Sequence, residues 1–148
     1  MTLLIVRHAV ALRRQDWTRD DDLRPLTPRG YEQAEALPAL LQPYGVDRIL
    51  SSPSVRCVET VQPLAARLGL PVEPIEELAE GAGTNALALL DGLDGTIVLC
   101  SHGDVLPELV SAVAPSVRSP EGEIACEKGS TWVIGERGAE PQYLPPPA

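Results

Sequence analysis

The chain holds two histidines, and each follows a run of aliphatic residues: His8 closes "LLIVRH" and His102 follows "TIVLCS". Arg7 directly precedes the first, Arg56 stands in "SSPSVRCVET" after a shorter aliphatic run, and Glu77 and Glu80 belong to "EELAE". These residue types suit phosphoryl transfer. A neutral imidazole, with an ordinary pKa near ~6.5, can attack phosphorus at physiological pH. Guanidinium forks match phosphate oxygens. A second imidazole adds a donor to the equatorial oxygens, and a carboxylic acid can protonate the departing oxygen and then activate water. Such a carboxyl must stay protonated near neutrality, which calls for burial or a dianionic substrate to raise its pKa. The set asks for no cofactor and no metal, and the sequence offers no HExxH or comparable ligand cluster. A single histidine after a strand is more often a capping or surface group, so the weight rests on all of these residues meeting.

The elements decide whether they meet. Leu3 to Val6, Arg48 to Leu50 and Thr96 to Cys100 read as strands buried on both faces, Pro71 to Ile75 as another, and Ser130 to Gly135 as a further β-rich candidate. Between them, Thr27 and Pro28 read as cap and first residue of a helix whose Tyr31, Ala34, Leu37 and Leu41 recur at helical spacing, with Pro38 expected to kink it or end it early. A second helix is expected from about Ser54 to Leu68 with Gly69 as its stop, and a third from Asp104 to Val113. Strands alternating with helices predict an α/β protein, a three-layer α/β/α sandwich around a mostly parallel sheet. In such sheets ligands bind beyond the carboxyl ends of the strands. Both histidines, both arginines and the glutamates follow strands, so one edge should gather them. Arg13 to Arg24, Gly81 to Asn85 and the Pro-rich end from about 140 to 148 read as loops and tail.

At 148 residues a single domain spanning the whole chain is expected. The net charge of -9 argues against a nucleic-acid partner, because that affinity depends on neutralising phosphates with Lys and Arg. Any bound phosphate should sit in a local basic pocket. No apolar run approaches the ~20 residues that span a bilayer and no signal-peptide pattern opens the chain, so no membrane and a cytoplasmic location are expected. Cys57, Cys100 and Cys126 are odd in number and form no CxxC, which points to reduced packing thiols.

"LLIVRHA", "LTPRGYEQA", "SSPSVRCVET" and "LCSHGD" together resemble, in order, the motifs of the histidine phosphatase superfamily, the phosphoglycerate-mutase-like proteins. The likeness runs from Leu3 to about Val113, and the short length is similar to that of the small bacterial phosphohistidine phosphatases. In "RCVETVQPLAARLGL" and "KGSTWV" the likeness is closer to the histidine phosphatase domain that follows a Nudix domain in some actinobacterial nucleotide hydrolases. The resemblance implies that His8 is the nucleophile and that Arg7, Arg56 and His102 hold the phosphoryl group. Leu78-Ala79-Glu80 fits the pattern that ends in the family's acid, with Glu77 in reserve. Ala9 replaces the commoner glycine, and Val10 replaces a glutamate that many relatives use on the substrate side.

Three further residues are candidate substrate contacts: Arg13, Trp17 and Glu77. The run "RDDDLR", Arg19 to Arg24, reads first as a solvated loop and second as a flap that carries Arg13, Arg14 or Arg24 to a second phosphate or an acidic partner. Ser51 and Ser52 have open roles. The expected activity is a metal-independent phosphatase with a covalent phosphohistidine intermediate, acting on a phosphoprotein or a small phosphoester such as a nucleotide. A non-catalytic module that binds phosphate or nucleotide is the alternative. The scaffold looks too short for an enclosing lid, which favours phosphatase over mutase.

Overall fold

Aliphatic side chains at successive positions of the first run must point to opposite sides of a strand, and in the computed structural model they do. The structure describes residues 1–82, 85–117, 122–135 and 140–147. Strand β1 (Thr2–Arg7) sends Leu3 and Ile5 to one hydrophobic layer and Leu4 and Val6 to the other. Strands β2 (Arg48–Ser51), β3 (Val72–Pro74) and β4 (Thr96–Ser101) run parallel with it, and β5 (Thr131–Ile134) and β6 (Gln142–Leu144) complete a six-stranded sheet of order β3-β2-β4-β1-β5-β6. Only the β1/β5 and β5/β6 pairs are antiparallel.

Helices α1 (Pro28–Leu41) and α2 (Val55–Leu68) cover one face through Leu37, Leu41, Val61 and Leu64. The short α3 (Asn85–Leu89) and α4 (Leu106–Val113) cover the other with Ala86, Leu106, Leu109 and Val110. The result is the three-layer α/β/α sandwich expected from the alternation of elements. Among the described residues no helix is long and apolar enough to cross a membrane.

Three expectations need correction. Pro38 does not end α1, which runs three residues further, because Pro38 is buried between Leu37 and Leu41 and their packing outweighs the missing amide donor. Asn85 opens α3 rather than closing a loop, while residues 83 and 84 of that stretch lie outside the described residues. The Pro-rich end is not only tail: Gln142–Leu144 pairs with β5, and the Tyr143 ring stands 5.1 Å from that of Trp132. The neighbouring strand supplies the ladder that so short a segment could not form alone.

Candidate active site

All four parallel strands end at one edge, and the chain leaving each delivers a functional group there. After β1 the backbone of His8 donates to the Ser101 carbonyl at 3.1 Å, and Gly129 N–H donates to the carbonyls of Arg7 and His8 at 3.1 and 3.0 Å. Strand β4 and the turn before β5 thus hold the backbone of the histidine from both sides. Its Nδ1 stands 2.8 Å from the Ala9 carbonyl, which can only accept, so Nδ1 carries the proton and Nε2 keeps its lone pair. Burial lowers the pKa of His8 to about 3 against the raising effect of the Ala9 bond, and the charges of His102, Arg56 and Arg7 push the same way as burial. His8 is therefore a neutral imidazole at any ordinary pH.

Two helix residues, a helix cap and a glycine fix this turn. Thr60 Oγ1 accepts from Ala9 N–H at 2.9 Å and donates to the Arg56 carbonyl at 2.7 Å. Gln33 Oε1 accepts from Val10 N–H at 3.0 Å. Thr27, the cap of α1, accepts from Gly30 N–H at 3.0 Å and donates to the Val10 carbonyl. Gly30 must be glycine: a Cβ there would fall 2.0 Å from the Val10 carbonyl oxygen.

His102, after β4, meets His8 edge to face with ring centroids 5.5 Å apart. Its Nε2 lies 2.8 Å from Ser52 Oγ, a fully buried hydroxyl after β2. Its Nδ1 lies 3.5 Å from Arg56 Nη2, which can only donate, so Nδ1 accepts and Nε2–H donates to Ser52. The thiol of Cys57 packs beneath, 3.5 Å from Nε2. Burial opposes ionisation of that thiol, but bonds to Cys100 and His102 and the charge of Arg56 hold it below the ordinary thiol value.

Arg56 is 1% exposed on the first turn of α2. Its Nη1 donates to the Asp21 carbonyl at 2.9 Å, and its Nη2 donates to Asp21 Oδ2 at 3.2 Å and Glu80 Oε2 at 2.9 Å. Arg7 donates from Nη1 to the Cys126 carbonyl at 2.6 Å and packs so close to Gly103 that a Cβ there would lie 2.8 Å from its guanidinium carbon. Among the described residues, the Nε of Arg7 and the Nε of Arg56 are buried donors without a partner. Native structures leave few such groups, and for two guanidiniums lining one cavity a bound acceptor is the explanation the chemistry offers.

Glu80 bridges two guanidiniums: Oε2 accepts from Arg56, and Oε1 accepts from Arg14 at 2.6 Å. The next residue is tied as well, because Gly81 N–H donates to Asp104 Oδ2 at 2.8 Å. Arg7, His8, Arg56, Glu80 and His102 line one cavity of about 370 Å³. Of the candidate substrate contacts, Arg13 lines it too, joined by Arg14 and Arg24 of the same loop. Trp17 does not line it and is half-buried, its Nε1 donating to the Asp20 carbonyl at 2.9 Å. Glu77 is exposed on a 3-10 turn outside the lining, so the structure brings Glu80 and not Glu77 to the histidines.

The run "RDDDLR" is a structured loop that seats Asp21 among Arg14, Arg24 and Arg56 at 3.7, 3.0 and 3.2 Å. Partial burial raises the Asp21 pKa, but the Arg24 bond and the charges of Arg56, Arg24 and Arg14 outweigh it and the net shift is downward. Sequence reasoning left Asp21, Asp104 and Lys128 unassigned. Ser51 and Ser52, at the end of a parallel strand, carried a positional hint without a role. Among the described residues no three His, Cys, Asp or Glu side chains cluster as metal ligands.

Comparison with known proteins agrees with this geometry. Residues 3–85 match the family model of the histidine phosphatase superfamily, branch 1. An 8-oxo-(d)GTP phosphatase of Mycolicibacterium smegmatis is 36% identical over 156 aligned residues, covering 99% of this chain and 48% of that protein. The chain thus spans about half the length of that relative. Two solved structures share the fold: the protein histidine phosphatase SixA complexed with tungstate, at TM-score 0.72 and 22% identity over 90% of this chain and 86% of that one, and the alpha-ribazole phosphatase of Shigella flexneri, at 0.74 and 19% over 99% and 95%. With its paired histidines, its arginines and the matched motifs on one sheet edge, this chain belongs to the histidine phosphatase superfamily.

Proposed function

We propose that the chain is a phosphatase that works through a phosphoryl group carried transiently on His8. The observation that carries this reading is the state of His8: a buried neutral ring whose Nδ1 is locked on the Ala9 carbonyl and whose Nε2 has no hydrogen-bond partner among the described residues, in a cavity it shares with two guanidiniums. Nε2 attacks phosphorus, the bond to the leaving oxygen breaks with its electron pair going to that oxygen, and the proton stays on Nδ1, donated to the Ala9 carbonyl throughout. Arg7 and Arg56 meet the charge on the equatorial oxygens, their two unpartnered Nε–H groups already in place, and His102 joins them when its Nδ1, turned from Arg56 to the phosphate, carries a proton as well. Glu80 is the acid for the leaving oxygen, and it then takes the proton of the water that attacks phosphorus from the opposite side and breaks the P–N bond. The reaction asks nothing of a metal.

The substrate is a phosphorylated small molecule or a phosphoprotein. The name of the M. smegmatis relative makes a nucleotide the leading small-molecule candidate, and SixA makes a protein phosphohistidine the other. The test is phosphate release with a chelator present from a phosphohistidine protein, a nucleotide set and an aryl phosphate. His8→Ala should reduce release to the blank. Arg56→Ala should lower kcat by about 10² to 10³, the loss seen when one preorganised donor is removed elsewhere. Glu80→Gln should slow poor leaving groups far more than good ones; equal slowing would remove Glu80 from the role of acid. Phosphate binding without any release would identify a binding module instead.

A further inference from the structure

Six of the chain's twelve basic residues line one cavity, although the chain as a whole carries a net charge of -9. One phosphoryl group does not use them all. Arg7 and Arg56 are committed to the transferred group, and Arg24 is spent within its loop on Asp21 and the Leu12 carbonyl. Three more line the cavity: Arg13 and Arg14, whose exposed side chains are held only by carboxylates, Asp16 for the first and Glu80 and Asp21 for the second, and Lys128.

Lys128, the only lysine of the sequence, is placed with care. It sits in the turn before β5, its carbonyl accepting from Gln33 Nε2 at 3.3 Å, and the following Gly129 is the residue whose amide is bound to the Arg7 and His8 carbonyls. Gly129 adopts a φ of +87°, and a Cβ there would press on Gln33 at 3.1 Å. The same Gln33 also holds Val10. The lysine is thus fixed to the backbone of the nucleophile, yet among the described residues no carboxylate pairs with it. Arg14 lines the same cavity, one carboxylate away from Arg56 through Glu80. Arg13 lines the cavity with a side chain 72% exposed, held only by the surface carboxylate Asp16 at 2.9 Å.

We infer that the cavity takes a phosphoanhydride: Arg7, Arg56 and His102 hold a terminal phosphoryl group while Lys128, Arg14 and Arg13 hold the next phosphate along. The inference rests on the phosphatase reading and narrows its substrate. His8 Nε2 forms the bond to the terminal phosphorus, the bond from that phosphorus to the bridging oxygen breaks, and its electron pair stays on the shortened phosphate product. Water then breaks the P–N bond and releases inorganic phosphate. The leaving group of this reaction is itself a phosphate, and the charge that develops on it lies among the rim cations. A histidine phosphorylated on a protein brings no second phosphate and leaves those cations unused. A nucleoside diphosphate, or a longer chain ending in the same linkage, uses them.

The experiment compares guanosine and adenosine diphosphates with their monophosphates, so that each base cancels, using p-nitrophenyl phosphate as the single-phosphate reference and a chelator throughout. Diphosphates should exceed monophosphates in kcat/KM by about tenfold or more. Lys128→Ala and Arg13→Ala should each lower the ratio of diphosphate to p-nitrophenyl phosphate kcat/KM by about tenfold, and Lys128→Arg should restore most of it. Diphosphates no better than monophosphates, or a ratio that neither alanine variant moves, would overturn the inference while the phosphatase reading stands on p-nitrophenyl phosphate turnover. Calorimetric binding to His8→Ala separates the other case. Diphosphate binding that depends on Lys128, in a protein that turns over none of these substrates when His8 is intact, would keep the second phosphate site and sink the hydrolytic reading; equal binding of mono- and diphosphate would sink the site as well.

Discussion

At His8 the burial that frees Nε2 also sets a pH dependence of stability. The folded chain keeps this ring neutral down to about pH 3, whereas the unfolded chain protonates it near its ordinary value of ~6.5. Below ~6.5 the unfolded state therefore binds a proton that the folded state does not, and its stability contribution is full above that pH and falls as pH drops toward 3. Denaturant unfolding between pH 4 and 6 should show a slope shallower in His8→Ala than in the wild type by up to about 1.4 kcal/mol per pH unit. Catalysis should lose nothing to His8 protonation over the same range. The type and order of His8, Arg56, Glu80 and His102 are legible in the sequence, because each follows a strand whose aliphatic pattern is plain. The protonation of His8 is not, because it depends on burial by elements far apart in the chain. Nor is the position of Asp21, one of several acids in a polar loop until Arg14, Arg24 and Arg56 fold around it.

Among the elements, α1 has a task beyond covering the sheet. Its cap and first two turns press on the loop that follows the nucleophile, through Thr27 and Gly30 on the Val10 carbonyl and through Gln33 on the Val10 amide. Gly30→Ala cannot be absorbed by a flexible side chain, since the clashing atom is backbone 2.0 Å away. It should destabilise by about 1 to 3 kcal/mol, in the manner of overpacking, and should lower kcat along with the melting temperature. A melting shift without loss of kcat would mean that the loop yields away from His8. The motif "TPRG" shows the helix start in sequence but not its contact with Val10, because close approach between distant backbones leaves no local pattern. The extension past Pro38 escapes for the opposite reason: local propensity is clear there, and the packing of Leu37 and Leu41 overrides it.

At the scale of the whole molecule, the last described strand joins stability to the site. Tyr143 packs on Trp132, and its hydroxyl accepts from the Glu127 amide at 3.1 Å, at the start of the turn that carries Lys128. A chain cut before Pro141 would lose this contact and expose the edge of β5. Its melting temperature should fall by roughly 4 to 10 °C, from an aromatic pair worth about 0.5 to 1.5 kcal/mol and the lost strand pairing. Unchanged melting would show that β6 adds nothing. Polar, Pro-flanked and three residues long, this strand has no signature of its own, and only the open edge of β5 gives it one.

The backbone around His8 is bonded on both sides, to Ser101 in one neighbouring strand and to Gly129 beside the other, whereas Arg13 and Arg14 hold their places by ion pairs on an exposed loop. The nucleophile and the rim are therefore built from parts of different local stability. Substitutions at exposed rim positions cost the fold little, within about half a kcal/mol in typical cases, while changes under the histidine disturb the central sheet. Evolution can rewrite what this cavity accepts, residue by residue, without reopening the question of how it reacts.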